Sequence, residues 1–144
     1  MPIINISVTG RPDASLSAKI AQQVTALTQT HLRKDPTITA IAVHYVDPDH
    51  WFAGGRSLAQ QQTNTFWLDI KVVDGTNTKQ ELASYIDAIF TTLDSALGGA
   101  HTESYALVHE VSAAAYGFGG KTQEFRYIAG QLDLRNSADS TDGR

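Results

Sequence analysis

Pro2 is the residue of this chain whose chemistry depends most on its place. If Met1 is removed, Pro2 carries a secondary amine at the head of the strand Pro2-Ile3-Ile4-Asn5-Ile6-Ser7-Val8. An α-amino group starts with a pKa near 8. An apolar pocket disfavours its charged form and brings it towards the range where a general base works best. The plain alternative is strand entry without chemistry. Arg11 offers a planar guanidinium that matches a carboxylate in two-pronged fashion; otherwise it is a solvated turn charge or a partner of Asp13. Trp51, Phe52, Tyr116 and Phe118 are candidate walls of a low-dielectric pocket, with hairpin packing the ordinary role of the two phenylalanines. Lys71 and Arg56 are further cations that could meet an acid.

Composition narrows the partners. The chain has 144 residues, 42% hydrophobic and 18% charged, and a formal net charge of -4. That fits one globular domain and gives no clustered positive charge for nucleic acid or an anionic membrane. There is no cysteine, so disulfides and thiolate chemistry are excluded. No apolar run has the length of a membrane span, and the start of the chain lacks the regions of a signal peptide, so the cytoplasm is the expected location. His44 and His109 stand at equivalent points of two strands, which favours a repeated structural role over a metal site; neither a metal nor a cofactor is expected. Gly117-Phe118-Gly119-Gly120 lacks the lysine and helix of a phosphate loop and reads as a turn.

The elements that must position these groups are written twice. His44 and His109, Trp51 and Tyr116, and Gly55 and Gly120 are all 65 residues apart, the mark of two copies of one unit. The first copy spans about 2–58 and the second about 65–122, joined by Gln60-Gln61-Gln62-Thr63-Asn64. Each reads strand, helix, strand and a short hairpin. Ile4, Ile6 and Val8 alternate with polar residues, as do Phe66, Leu68, Ile70 and Val72. Asp13 or Ser15 caps a first helix with the stripe Leu16, Ile20, Val24, Leu27 and His31, ended by Asp35-Pro36. A second strand follows from about Ile38 to Val46. Thr78-Lys79-Gln80-Glu81 has the spacing of a capping box. It opens a helix with the stripe Leu82, Tyr85, Ile86, Ile89, Leu93 and Leu97, stopped by Gly98-Gly99. Residues 1–134 form the expected domain, and 135–144, without apolar periodicity, the expected flexible tail.

Two βαβ units related by a pseudo-twofold make an α/β sandwich: one four-stranded sheet with both helices on one face. The other face carries Asn5, Ser7, Asp69 and Lys71 and calls for cover by other protomers.

Pro2 at the head of the first strand, Gly10-Arg11-Pro12-Asp13 at its end, and the Trp51-Phe52-Ala53-Gly54-Gly55 and Tyr116-Gly117-Phe118-Gly119-Gly120 turns together resemble the tautomerase superfamily, in the two-unit fused form of its 4-oxalocrotonate tautomerase-like members. The resemblance covers about residues 2 to 132. It implies a homotrimer, an amino-terminal proline as general base or acid, no cofactor, and a small carboxylated substrate held by Arg11, with Trp51 lining the pocket; beside these, Tyr116 is read as a second pocket wall and Lys71 as a further substrate contact. An arginine that single-unit members carry early in the second strand is replaced by Ala40. The arginine pair of the two-unit dehalogenases and decarboxylases is absent from Val72-Val73-Asp74-Gly75-Thr76-Asn77, and their water-activating carboxylates fall at Ala115 or near Thr39. The function implied is a tautomerase acting on a small 2-oxo or dienol acid. The alternatives are a hydratase, dehalogenase or decarboxylase on the same site, and a non-catalytic binding protein that keeps the fold.

Overall fold

The computed structural model describes residues 1–141 and contains the two units in the order expected. The first comprises β1 (Ile3–Thr9), α1 (Ala14–Leu32), β2 (Ala40–Val46), the hairpin strands β3 (Phe52–Ala53) and β4 (Arg56–Ser57), and the short helix α2 (Leu58–Gln61). The second comprises β5 (Phe66–Val73), α3 (Lys79–Ala96), β6 (Tyr105–Val111), the hairpin strands β7 (Gly117–Phe118) and β8 (Lys121–Thr122), and α4 (Gln123–Thr141). The sheet order is β2-β1-β5-β6, with β1 parallel to β2, β5 parallel to β6, and β1 antiparallel to β5.

The core lies between this sheet and the two long helices. Ile4, Ile6, Val8, Phe66, Leu68, Ile70 and Val72 pack there with Ile20, Val24 and Leu32 of α1 and Tyr85, Ile89 and Leu93 of α3. Each such side chain contributes roughly 1.5–3 kcal/mol on leaving water. Asp13 caps α1 by accepting from the Ser15 and Leu16 amides at 3.0 and 3.1 Å. The capping box of Thr78 and Glu81 is formed at the start of α3. Both hairpins turn on glycine pairs, Gly54-Gly55 and Gly119-Gly120, with φ between 60° and 79°; two successive left-handed residues are what a tight hairpin needs and what side chains resist.

Four local expectations are corrected. The buried row of α1 is Ile20, Val24, Thr28 and Leu32. Thr28 is the more deeply buried there, with Leu27 half-buried against the same core, because the Thr28 hydroxyl meets the Val24 carbonyl at 2.7 Å and the Tyr85 hydroxyl at 3.0 Å. β2 begins at Ala40, since Asp35 caps a 3-10 turn over Pro36–Ile38 through the Thr37 amide at 2.9 Å. Residues 135–141 are helical, the last turns of α4, whose apolar residues lie on two sides of the helix so that no single stripe announces it; residues 142–144 of the expected tail lie outside the described residues. The open sheet face, expected to be polar, also exposes Trp67, Tyr105 and Leu107, with the Trp67 and Tyr105 rings 6.2 Å apart.

Candidate active site

The antiparallel pairing of β1 with β5 decides which side chains can meet Pro2. A hairpin that follows β2 lies at the far end of β1, because the two strands run in parallel. The hairpin that follows β6 lies at the far end of β5, and that is the near end of β1. The second unit's hairpin therefore serves Pro2, and the Tyr116 hydroxyl donates to the Met1 carbonyl.

Pro2 is buried, and its carbonyl accepts from the Ala40 amide at 3.1 Å, which fixes the head of β1 against β2. Beside it opens a cleft of about 460 Å³ walled by Ile38, Ala40, Tyr116 and Phe118, with Thr37 and Thr39 at its polar side. The Met1 amine here is held below its ordinary pKa, first by burial and then by the charge of Lys34, with Asp35 pulling the other way. The Lys34 ammonium donates to Thr76 Oγ1 at 2.9 Å and is itself lowered by burial and by Arg33. Burial raises the Tyr116 phenol, so it stays protonated and able to donate.

A second cleft, of about 450 Å³, opens on the other side of Met1, lined by Val73, Thr76, Gln123, Glu124, Arg126 and Tyr127 among others. Arg126 links the two. Its guanidinium lies 3.6 Å above the Phe118 ring and donates to the Phe118 carbonyl at 2.9 and 3.2 Å.

The expected site residues are divided by this arrangement. Pro2 and Tyr116 come together. Arg11 and Trp51 do not join them within one protomer: both lie beyond the other end of β1, about 25 Å away at the ordinary rise of a strand. Trp51 lines a separate cleft with Ser7, His50, Phe52 and Trp67, and Arg11 is exposed on the turn after Gly10. Lys71 stands opposite Ile3 on the neighbouring strand, but its ammonium is paired with Asp69 on the open sheet face. His44 and His109 occupy equivalent points of β2 and β6 on that same face. Among the described residues no three or more His, Asp or Glu side chains converge to hold a metal.

Lys34 and Arg126 are the cations that sequence reading passed over. A lysine just beyond a helix end looks like any solvated charge. Arg126 carried a signal, since 65 residues before it stands Gln61, which pins the first hairpin through the Ala53 and Arg56 carbonyls at 3.0 Å.

Residues 2–61 match the model of the tautomerase enzyme family, beginning at the proline that heads β1. The first of the two units is thus similar to the tautomerase family. Among solved structures, native fused 4-OT aligns with a TM-score of 0.75 at 17% identity over 85% of this chain and 96% of that one. Pt0534 inactivated by 2-oxo-3-pentynoate aligns with a TM-score of 0.75 at 14% identity over 86% and 98%. The macrophage migration inhibitory factor-like protein of Entamoeba histolytica aligns at 0.70 and 17% identity over 84% and 97%. No curated protein sequence matches the chain. The chain has the fused 4-OT fold, and no helix among its described residues is long and apolar enough to cross a membrane.

Proposed function

We propose that this protein is a cofactor-independent tautomerase of small 2-oxo or dienol acids, with the amine of Pro2, freed by removal of Met1, carrying the proton. The observation that supports it best is the placing of Pro2. It is buried at the head of β1 in a cleft whose walls and nearby Lys34 favour a neutral amine. Such an amine accepts a proton from the dienol or the α-carbon and returns it to another carbon, which is all that tautomerisation requires. Tyr116 donates to the Met1 carbonyl; once Met1 has gone, that donor is free for the carbonyl oxygen of a substrate, where negative charge develops in the enolate.

Arg11 and Trp51 enter this reading only from another protomer. Fused 4-OT relatives of the same fold are trimers, and a homotrimer that sets the Arg11 end of one chain beside the Pro2 end of the next completes the pocket. The reducing cytoplasm suits a chain without cysteine.

The test is alkylation. An electrophilic 2-oxo acid such as 2-oxo-3-pentynoate should bond through its C4 to the Pro2 nitrogen, with a proton added at C3. Intact mass should then rise by one whole reagent molecule, and peptide mapping should place it on Pro2. A mature chain that retains Met1, or a reagent found on lysines at random, would leave the non-catalytic binding protein as the reading to keep.

A further inference from the structure

The two units of this chain serve as each other's control, and where they differ around the hairpins, they differ at the Pro2 end. Position 58 of the first unit is a fully buried leucine at the start of α2; its counterpart 65 residues on is Gln123, at the start of α4. Gln123 is 93% buried, and its side-chain amide nitrogen has no hydrogen-bond partner among the described residues. Buried polar groups are almost always paired, so a donor left open where the fold accepts leucine points to a ligand. Gln61 pins the first hairpin with a neutral amide, while its counterpart Arg126 pins the second with a guanidinium. The pin does not need the charge. Both substitutions line the cleft that shares Met1 with the Pro2 pocket.

We infer that Gln123 and Arg126 form the seat for the carboxylate of the substrate, and that the substrate is a 2-oxo monoacid with an apolar tail. Gln123 supplies one donor. Arg126 supplies another, because its contacts to Phe118 use Nε and one terminal nitrogen and leave the other terminal nitrogen free to donate. The backbone amides at the start of α4 play no part, since those of Gln123, Glu124 and Phe125 are taken by the Tyr116 carbonyl, the Ala113 carbonyl and Thr122 Oγ1. Glu124 also lines the cleft and opposes anions, which admits one carboxylate beside Arg126 but disfavours a diacid folded into the same space. Within one protomer, the walls past Pro2 are Ile38, Ala40 and Phe118 with the hydroxyl residues Thr37 and Thr39, and no lysine or arginine among the described residues lines them where a second carboxylate would need a cation. The chemical class of the ligand rests on the tautomerase reading; the seat itself exists with Met1 in place.

Titration calorimetry tests this without requiring a reactive Pro2. The probes are 2-oxopentanoate, its neutral counterpart 2-pentanone, and the diacid 2-oxohexanedioate. The variants are Gln123→Leu and Arg126→Gln, each taking the residue that the first unit already accommodates. The wild-type protein should bind 2-oxopentanoate more tightly than either other probe. Each variant should weaken 2-oxopentanoate by about tenfold or more, the scale of one lost charge-assisted contact, with 2-pentanone unchanged and thermal melting within a few degrees of wild type. Arg126→Lys should recover part of the loss. Equal affinity in wild type and Gln123→Leu, or no binding of 2-oxopentanoate at all, overturns the seat; tighter binding of the diacid overturns the apolar tail. Failure of Pro2 to be alkylated, with these affinities as expected, would count against the tautomerase reading alone.

Discussion

Pro2 and Phe66 occupy the same place in the two units. Each precedes the first residue of matched register, Ile3 with Ala40 in one unit and Trp67 with Tyr105 in the other, and each is buried. One can become a chain-terminal amine and the other cannot. On the proposed mechanism the protomer therefore has one proton-transfer site, while the equivalent position of the second unit holds the core residue Phe66 and Trp51 and Arg11 lie at the far end of β1 from Pro2. If neighbouring protomers bring them to Pro2, Pro2→Ala and Arg11→Ala should complement. Each alone should turn over little carboxylated substrate. Mixed, denatured together and refolded, they should regain a fraction of wild-type activity set by the chance that an intact Pro2 meets an intact Arg11. Mixtures no more active than their components would confine the site to one chain and leave Arg11 outside it.

The pH profile follows from the surroundings of the amine. Burial and Lys34 lower the pKa of the Met1 amine, and the proposed mechanism requires a Pro2 amine one residue on to share both influences. The neutral amine is the base, so kcat/KM should rise with pH through a midpoint below 8 and then level off. Lys34→Met should move that midpoint upward, since it removes a neighbouring positive charge. A midpoint unmoved in Lys34→Met would show that burial alone sets the amine.

Much of this fold was legible because it is written twice. The 65-residue spacing located both hairpins, and the alternation of β1 and β5 named their buried residues correctly. The partition of the site was not legible, because it depends on β1 and β5 running antiparallel, a long-range pairing that no local period records. Grouping Pro2 with Arg11 and Trp51 followed the family resemblance, while within one chain the sheet sets them at opposite ends of β1. α4 was missed for a simpler reason: Phe125, Ile128 and Leu132 lie on one side and Tyr127 and Leu134 on the other, so the helix has no single apolar face to find.

Gly117 marks a close approach within the hairpin that covers Pro2. A Cβ at this position would lie 2.1 Å from the Lys121 carbonyl oxygen, which is backbone and cannot step aside. Gly117→Ala should therefore shift or open the β7–β8 pairing and move Tyr116 and Phe118 off the cleft. The expected result is a fall in turnover of at least tenfold with little loss of melting temperature, because the hairpin is exposed and the core lies elsewhere. Amide exchange should quicken at Lys121 and Thr122 while β1 and β5 stay protected; protection unchanged in the hairpin would remove the steric argument.

Arg33 ends α1 in a left-handed conformation and reaches across to Glu81, the N3 residue of the α3 capping box, at 2.8 Å. The guanidinium and the Thr78 amide together hold the Glu81 carboxyl down at about 2, against an ordinary value of 4.5. A carboxylate depressed in the folded state stabilises fully above its unfolded pKa and loses that contribution as pH falls towards the folded one. Glu81→Gln should therefore melt at a lower temperature than wild type near neutral pH, and the gap should narrow between about pH 4.5 and 2 as the wild-type carboxyl gains its proton. Arg33 is open to solvent and Glu81 partly so, so added salt should shrink the same gap at neutral pH. A melting difference independent of both pH and salt would show that the side chain caps α3 through its shape and hydrogen bonds, without help from the charge of Arg33.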